Sequence, residues 1–132
     1  MNKQETGPHN VGYVIEGYAC DYLKRNKYRI ICRNYRSRYG EIDIVATDES
    51  ALVFVEVRYR RRGSLVTPEE SVSRAKIRRL KLAVRDFLWK HSGMAGNHSS
   101  IRVDLCCVTD PGEASQEGGE FDFKVIKGII QF

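Results

Sequence analysis

The sequence predicts an α/β protein in which one mixed β-sheet is flanked by two helices. Three observations predict it. Two segments repeat apolar residues at helical spacing, and several shorter ones are rich in Val, Ile, Phe and Tyr between turn residues. The order is helix, three strands with short links, helix, strand, with one optional strand after it. A single sheet between the helices buries the apolar face of both.

Val11 to Arg25 forms the first helix, with Val11, Ile15, Tyr18, Ala19 and Tyr22 on one apolar face. Tyr28 to Asn34 is a strand in which Tyr28, Ile30 and Cys32 alternate with Arg29, Ile31 and Arg33. Ser37 to Gly40 turns the chain into a second strand, Glu41 to Thr47. Asp48-Glu49-Ser50 connects it to a third, Ala51 to Arg60. Short links make these three an antiparallel meander. A basic loop, Arg61 to Val66, leads to Thr67-Pro68-Glu69-Glu70. There Thr67 caps a second helix, Pro68 suits its first position and Glu70 completes a capping box. The helix runs to about His91, burying Ile77, Leu80, Val84, Phe87 and Leu88. Ile101 to Val108 is the fourth strand, Asp110 to Glu120 has the composition of a mobile loop, and Phe121 to Ile126 is a last, edge strand.

A chain of 132 residues fits one domain, taken as residues 11–132 behind a flexible tail of residues 1–10. That length buries a core without disulfides. No apolar run approaches the roughly 20 residues of a membrane helix, and Met1 to Asn10 lacks the apolar region of a secretory signal. Cys20, Cys32, Cys106 and Cys107 form no C-x-x-C pair, so reduced, mostly buried thiols in a cytoplasmic protein are expected. A net charge of +5 points towards an anionic partner.

Carboxylates interrupt the two most apolar strands: Gly40-Glu41-Ile42-Asp43-Ile44-Val45-Ala46 and Val53-Phe54-Val55-Glu56-Val57-Arg58. A buried charge needs a partner. Glu41 and Asp43 lie two apart on one face, as do Glu56 and Arg58. If the two strands pair, Asp43 and Glu56 face each other. Converging carboxylates repel, and a hard cation such as Mg2+ relieves this with oxygen ligands. The competing reading is an ion pair, with Asp43 or Glu56 neutralised by Arg58 or another basic residue.

These residues resemble the YraN family of small bacterial proteins, within the PD-(D/E)XK, or restriction-endonuclease-like, superfamily. The resemblance spans Gly12 to Val108. It is carried by Gly12 to Leu23, by Arg33-Asn34-Tyr35-Arg36 leading into Gly40-Glu41-Ile42-Asp43, by Val53 to Arg60, and by Ser71-Val72 with Lys76 and Leu80. It implies a restriction-endonuclease-like αβββαβ core and a nuclease needing Mg2+ or Mn2+. It casts Asp43 as the first metal-binding acid and Glu56 as the acid of the E-x-K motif. Val57 would add its carbonyl, and Glu16 would complete the site from the first helix. Two positions depart from the pattern. Ile15 stands where a glycine is common. Arg58 stands where lysine is usual; it cannot act as a base, but it can steady developing charge. Lys76 flanks the apolar face of the second helix and is a candidate replacement, or else a boundary residue with its stem on the core.

Arg58, Arg60, Arg61 and Arg62 cluster at the end of the third strand, and Arg74, Arg78, Lys81 and Arg85 form a helical stripe. Both sets suit phosphate contacts, although such a stripe is also what an ordinary solvated face looks like. Tyr35, Tyr39 and Tyr59 flank the site as stacking groups or as ordinary strand aromatics. The expectation is a DNA phosphodiesterase, with DNA favoured over RNA, branched or processed DNA in view, and a homodimer in keeping with its size. The alternative is a nucleic-acid-binding domain that kept the fold without cutting.

Overall fold

A computed structural model describes residues 8–112 and 121–132 of the chain. The elements are α1 (Pro8–Arg25), β1 (Tyr28–Ser37), β2 (Gly40–Asp48), β3 (Ala51–Arg60), α2 (Arg74–Lys90), a single turn α3 (Ser92–Ala95), β4 (Ser100–Thr109) and β5 (Asp122–Gln131). The sheet order is β1-β2-β3-β4-β5. β1–β2 and β2–β3 are antiparallel, β3–β4 is parallel and β4–β5 antiparallel. The parallel step requires a crossover, which α2 supplies. This is the mixed sheet between helices expected of a restriction-endonuclease-like core. Most of the expected late loop, residues 113–120, and most of the expected tail, residues 1–7, lie outside the described residues.

Two cores form, one on each face of the sheet. Between α1 and the sheet lie Ile15, Ala19, Leu23, Tyr28, Ile44, Ala46, Val53, Val55, Cys106 and Val108. Between α2 and the sheet lie Ile42, Val45, Leu52, Phe54, Leu80, Val84, Phe87 and Val103. Each large apolar side chain withdrawn from water contributes about 1.5–3 kcal/mol. β3 is buried on both faces from Ala51 to Glu56, which explains its near-continuous apolar run.

Three local expectations are corrected. The buried face of α1 is Ile15, Ala19, Cys20 and Leu23; Val11 and Tyr18 stand on its exposed flank. The capping box forms, with Glu70 N–H donating to Thr67 Oγ1 at 3.2 Å and Thr67 N–H reaching Glu70 Oε2 at 3.4 Å, but it closes an isolated turn. α2 itself starts at Arg74, where Ser73 Oγ accepts the Lys76 N–H at 3.1 Å. Cys32 leaves the face of Tyr28 and Ile30, because a bulge between Ile30 and Cys32 reverses the alternation. All four cysteines are free, and Cys20, Cys106 and Cys107 are buried.

Candidate metal centre and basic surface

The site sits where two strands part. β2 pairs with β3 from Asp48↔Ala51 as far as Ile44↔Val55 and no further. β3 then continues along β4 to Arg60, while β2 continues along β1 to Gly40. The first residues beyond the last pair are Asp43 and Glu56. The Asp43 carboxylate occupies the fork: its Oδ2 accepts the Val57 N–H at 2.8 Å.

Both strands on this side switch faces at the fork. Ile44 packs towards α1, yet Ile42 packs towards α2. On β1, Arg33 reaches the Tyr13 carbonyl on α1 at 2.8 Å, whereas Tyr35 stands edge-on to Phe87 of α2. Between them Asn34 has φ +56°, a left-handed conformation that asparagine tolerates. The switches gather Asn34, Glu41 and Asp43 under Glu16 of α1.

Glu16, Glu41 and Asp43 each offer a carboxylate oxygen, all within 4.8 Å of one another. With its amide nitrogen turned towards them, Asn34 donates to Glu16 Oε1 at 2.8 Å and to Glu41 Oε1 at 2.7 Å. Arg33 lies 3.7 Å from Glu16. Glu56 approaches Asp43 from the α2 side and is buried. Its Oε2 faces Arg58 Nε at 3.4 Å and Lys76 Nζ at 3.5 Å, while its Oε1 has no hydrogen-bond partner.

Asp43 thus lies between Glu16 and Glu56, and its charge acts on both. Ionised carboxylates only accept hydrogen bonds and repel one another at this range, which a proton or a cation among them relieves. Burial first, then the Asp43 charge, pushes both glutamates up to about 7. Glu41 adds to the effect on Glu16. Lys76 and Arg58 only partly offset it on Glu56. Asp43 itself has no ion pair among the described residues. A cluster of hard oxygens, one orphaned and one acid without a counter-charge, suits a divalent cation.

The expected site residues divide. Glu16, Asp43 and Glu56 lie together, and Lys76 reaches Glu56. Glu41 is a closer companion of Glu16 and Asp43 than the sequence suggested, and Asn34 was missed. Their signals were an acid two residues before Asp43 and an asparagine inside a strand. Val57, expected to offer its carbonyl, donates its N–H to Asp43. In the basic loop, Arg60 Nη1 donates to the Val66 carbonyl at 2.8 Å, and Arg62 bonds the Pro111 carbonyl at 2.8 Å and Asp122 at 2.9 Å. These two brace the loop. Arg61 has no ion pair among the described residues and is exposed, as are Arg74 and Arg78. Tyr35 donates to Asp86 at 2.6 Å and serves the α2 core; Tyr59 stays half exposed beside a cavity of about 210 Å³ lined also by Val11, Gly12, Ile15, Glu16 and Val57.

The sequence profile of "Uncharacterised protein family UPF0102" matches residues 15–108. The chain belongs to that family. A UPF0102 protein of Marinobacter nauticus is 41% identical over 125 residues, covering 95% of each chain. One from Dichelobacter nodosus is 42% identical over 109 residues, covering 83% of this chain and 84% of its own. One from Thermotoga neapolitana is 41% identical over 103 residues, covering 78% and 91%. The stretch matched to UPF0102 encloses Glu16, Asn34, Glu41, Asp43, Glu56 and Lys76. Among the described residues no helix is long and apolar enough to cross a membrane.

Proposed function

We propose that this chain is a phosphodiesterase of the PD-(D/E)XK type that cuts DNA with the help of Mg2+ or Mn2+. The observation that carries the reading is the position of Asp43. It fills a strand fork, lacks a counter-charge, and touches carboxylates arriving from both faces of the sheet. Glu16, Glu41 and Asp43 would hold the cation, with the orphaned Oε1 of Glu56 as the adjoining donor. A divalent ion bound there supplies positive charge to a phosphodiester oxygen and makes water more acidic.

The protein's own groups divide the remaining work. Val57 N–H fixes the Asp43 carboxylate, so its free oxygen has one direction. Asn34 holds Glu16 and Glu41 in place. Lys76 and Arg58 stand on Glu56 and present positive charge to the negative charge that develops on phosphorus-bound oxygens. Arginine cannot serve as a base, so Arg58 contributes here through charge and hydrogen bonding alone. Exposed Arg61, Arg74 and Arg78 supply phosphate contacts without sequence readout.

The test is cleavage of duplex, single-stranded, flapped and four-way DNA by wild type, Asp43→Asn and Glu56→Gln, with Mg2+, Mn2+ or EDTA. Metal-dependent cleavage lost in both variants supports the reading. A second reading is a DNA-binding domain without cutting. One observation favours it: Arg58 and Lys76, the cations on the α2 side of the site, are both engaged by Glu56. Tight, salt-sensitive binding by all three proteins with no cleavage selects it.

A further inference from the structure

α2 carries Arg74, Lys76, Arg78, Arg79, Lys81, Arg85 and Lys90 against one acid, Asp86. Asp86 is taken by Tyr35 and Lys90. Arg74, Arg78, Lys81 and Arg85 are exposed on one stripe, and none has an ion pair among the described residues. The first turn contains no acid, although the helix dipole favours one there. A face that serves solubility alone interleaves opposite charges three or four residues apart. This stripe sets like charges at that spacing, where they repel.

The stripe runs into Trp89, four residues beyond Arg85, and Trp89 is 84% exposed. Leaving an indole in water gives up one of the largest burials a side chain offers. Repelling cations and an exposed indole on one face both lower the stability of the free protein, and a single partner answers both.

We infer that the outward stripe of α2, from Arg74 to Trp89, is a track for single-stranded nucleic acid, with phosphates on the cations and an unpaired base stacked on Trp89. Only an unpaired base presents its face to an indole. An anionic membrane fits less well. The apolar face of α2 (Leu80, Ala83, Val84 and Phe87) is buried against the sheet, and an interfacial helix must insert that face. The placement rests on the phosphodiesterase reading: Arg74, the first cation of the track, shares the first turn of α2 with Lys76, which touches Glu56 from the opposite, inward side of the helix, so one helix width of about 10 Å lies between track and site. At about 1.5 Å per residue it is about 22 Å long, which matches about six nucleotides of a strand stacked as in a duplex, at about 3.4 Å each.

Trp89 is the chain's one tryptophan, so intrinsic fluorescence reports on this position alone. The experiment titrates the full chain in EDTA with thymidine oligonucleotides of 4, 8 and 12 residues, an 8-residue uridine RNA, and phosphatidylserine vesicles. Labelled 12-mer anisotropy is followed in parallel for wild type, Trp89→Ala and Arg78→Ala/Arg85→Ala. Quenching by the 8- and 12-mers, weak with the 4-mer, supports the track; the more effective of DNA and RNA identifies the strand it takes. Trp89→Ala should weaken 12-mer binding about tenfold. The double arginine variant should flatten the log–log salt slope by about 1.4. Anisotropy showing tight binding with unquenched Trp89, no binding of any oligonucleotide, or a response to vesicles alone each overturns it. Because metal is absent, the two readings fail separately. A quenched Trp89 in a protein that never cuts leaves the track and removes the phosphodiesterase; metal-dependent cutting with Trp89 unquenched does the reverse.

Discussion

The Val57 N–H donates to Asp43 Oδ2 at 2.8 Å, at the point where β2 and β3 cease to pair. A backbone donor that a regular ladder would give to a carbonyl is given to a side chain. The fork therefore does more than end a sheet: it aims a carboxylate between the two faces. Glu16 and Glu56 reach that carboxylate from opposite sides, so one residue couples α1 chemistry to α2 chemistry.

That geometry separates two substitutions at Asp43. Asp43→Asn keeps an oxygen for the Val57 N–H and removes the charge that repels Glu16 and Glu56. Its metal-free melting temperature should equal or exceed that of wild type. Asp43→Ala leaves the amide without its acceptor and should fall below Asp43→Asn by about 1–3 kcal/mol. Both should lose any rise in melting temperature on adding Mg2+. Thermal melts with and without Mg2+ check this; a wild type indifferent to Mg2+ removes the metal from the account.

The raised Glu16 and Glu56 carboxyls set a pH dependence. Each holds its proton in the folded state up to about 7, against 4.5 when free. Between those values the folded chain binds more protons than the unfolded one, so stability falls as pH rises. For metal-free protein the loss between pH 5 and 8 should be on the order of a few kcal/mol, mostly from the more buried Glu56. Urea denaturation at the two pH values measures it. Mg2+ competes with these protons, so it should recover more stability at pH 8 than at pH 5. Equal stability at both pH values without metal would show that Arg58 and Lys76 neutralise the cluster completely.

Much of this site was legible in the sequence because β3 is regular. Its bounds, Ala51–Arg60, and its alternation follow from the residue pattern, which places Glu56 with Arg58 on one face. Glu41 and Asn34 were harder to place. Their positions depend on face switches at Asn34 and Asp43, and period-two reading assumes that no switch occurs. The start of α2 was misread for a different reason. Thr67-Pro68-Glu69-Glu70 makes its capping bonds, but a cap satisfies donors without deciding how many turns follow. Ser73 caps again, and packing of Leu80, Val84 and Phe87 on the sheet fixes the helix from there.

Lys76 and Arg58 are distinguishable although both face the same Glu56 oxygen. Lys76 comes from a helix and has its side chain 25% exposed; Arg58 lies on the strand that carries Glu56. If Lys76 supplies the charge that stabilises the reacting phosphate, Lys76→Met should lower kcat about 100- to 1,000-fold with little change in KM. Arg58→Lys should stay within about tenfold of wild type, since a cation remains. Steady-state cleavage kinetics decide between them, and a greater loss in Arg58→Lys would transfer the role to the guanidinium.

The far end of the sheet offers a control that should alter stability and leave chemistry untouched. Asp104 is fully buried and accepts from Tyr28 Oη at 2.9 Å, Arg102 Nε at 2.8 Å and Gly128 N–H at 2.9 Å. Arg102 also bonds Asp48 at 2.6 Å, and Lys127 meets the same Asp48 oxygen at 2.9 Å. This network ties β1, β2, β4 and the edge strand β5 together. Asp104→Ala leaves Arg102 paired with Asp48 but removes the acceptor of Arg102 Nε, Tyr28 Oη and the Gly128 N–H, and should cost about 1–3 kcal/mol for each buried donor left unsatisfied. Tyr28→Phe removes a single donor and should cost about 0.5–1.5 kcal/mol for the lost bond, plus up to about 3 kcal/mol if the carboxylate oxygen is left unsatisfied. Both variants, assayed well below their melting points, should cleave DNA at the wild-type rate. Urea midpoints and cleavage rates on the same preparations test this, and a fall in rate at preserved fold would mean that the network positions the fork at the other end of β2.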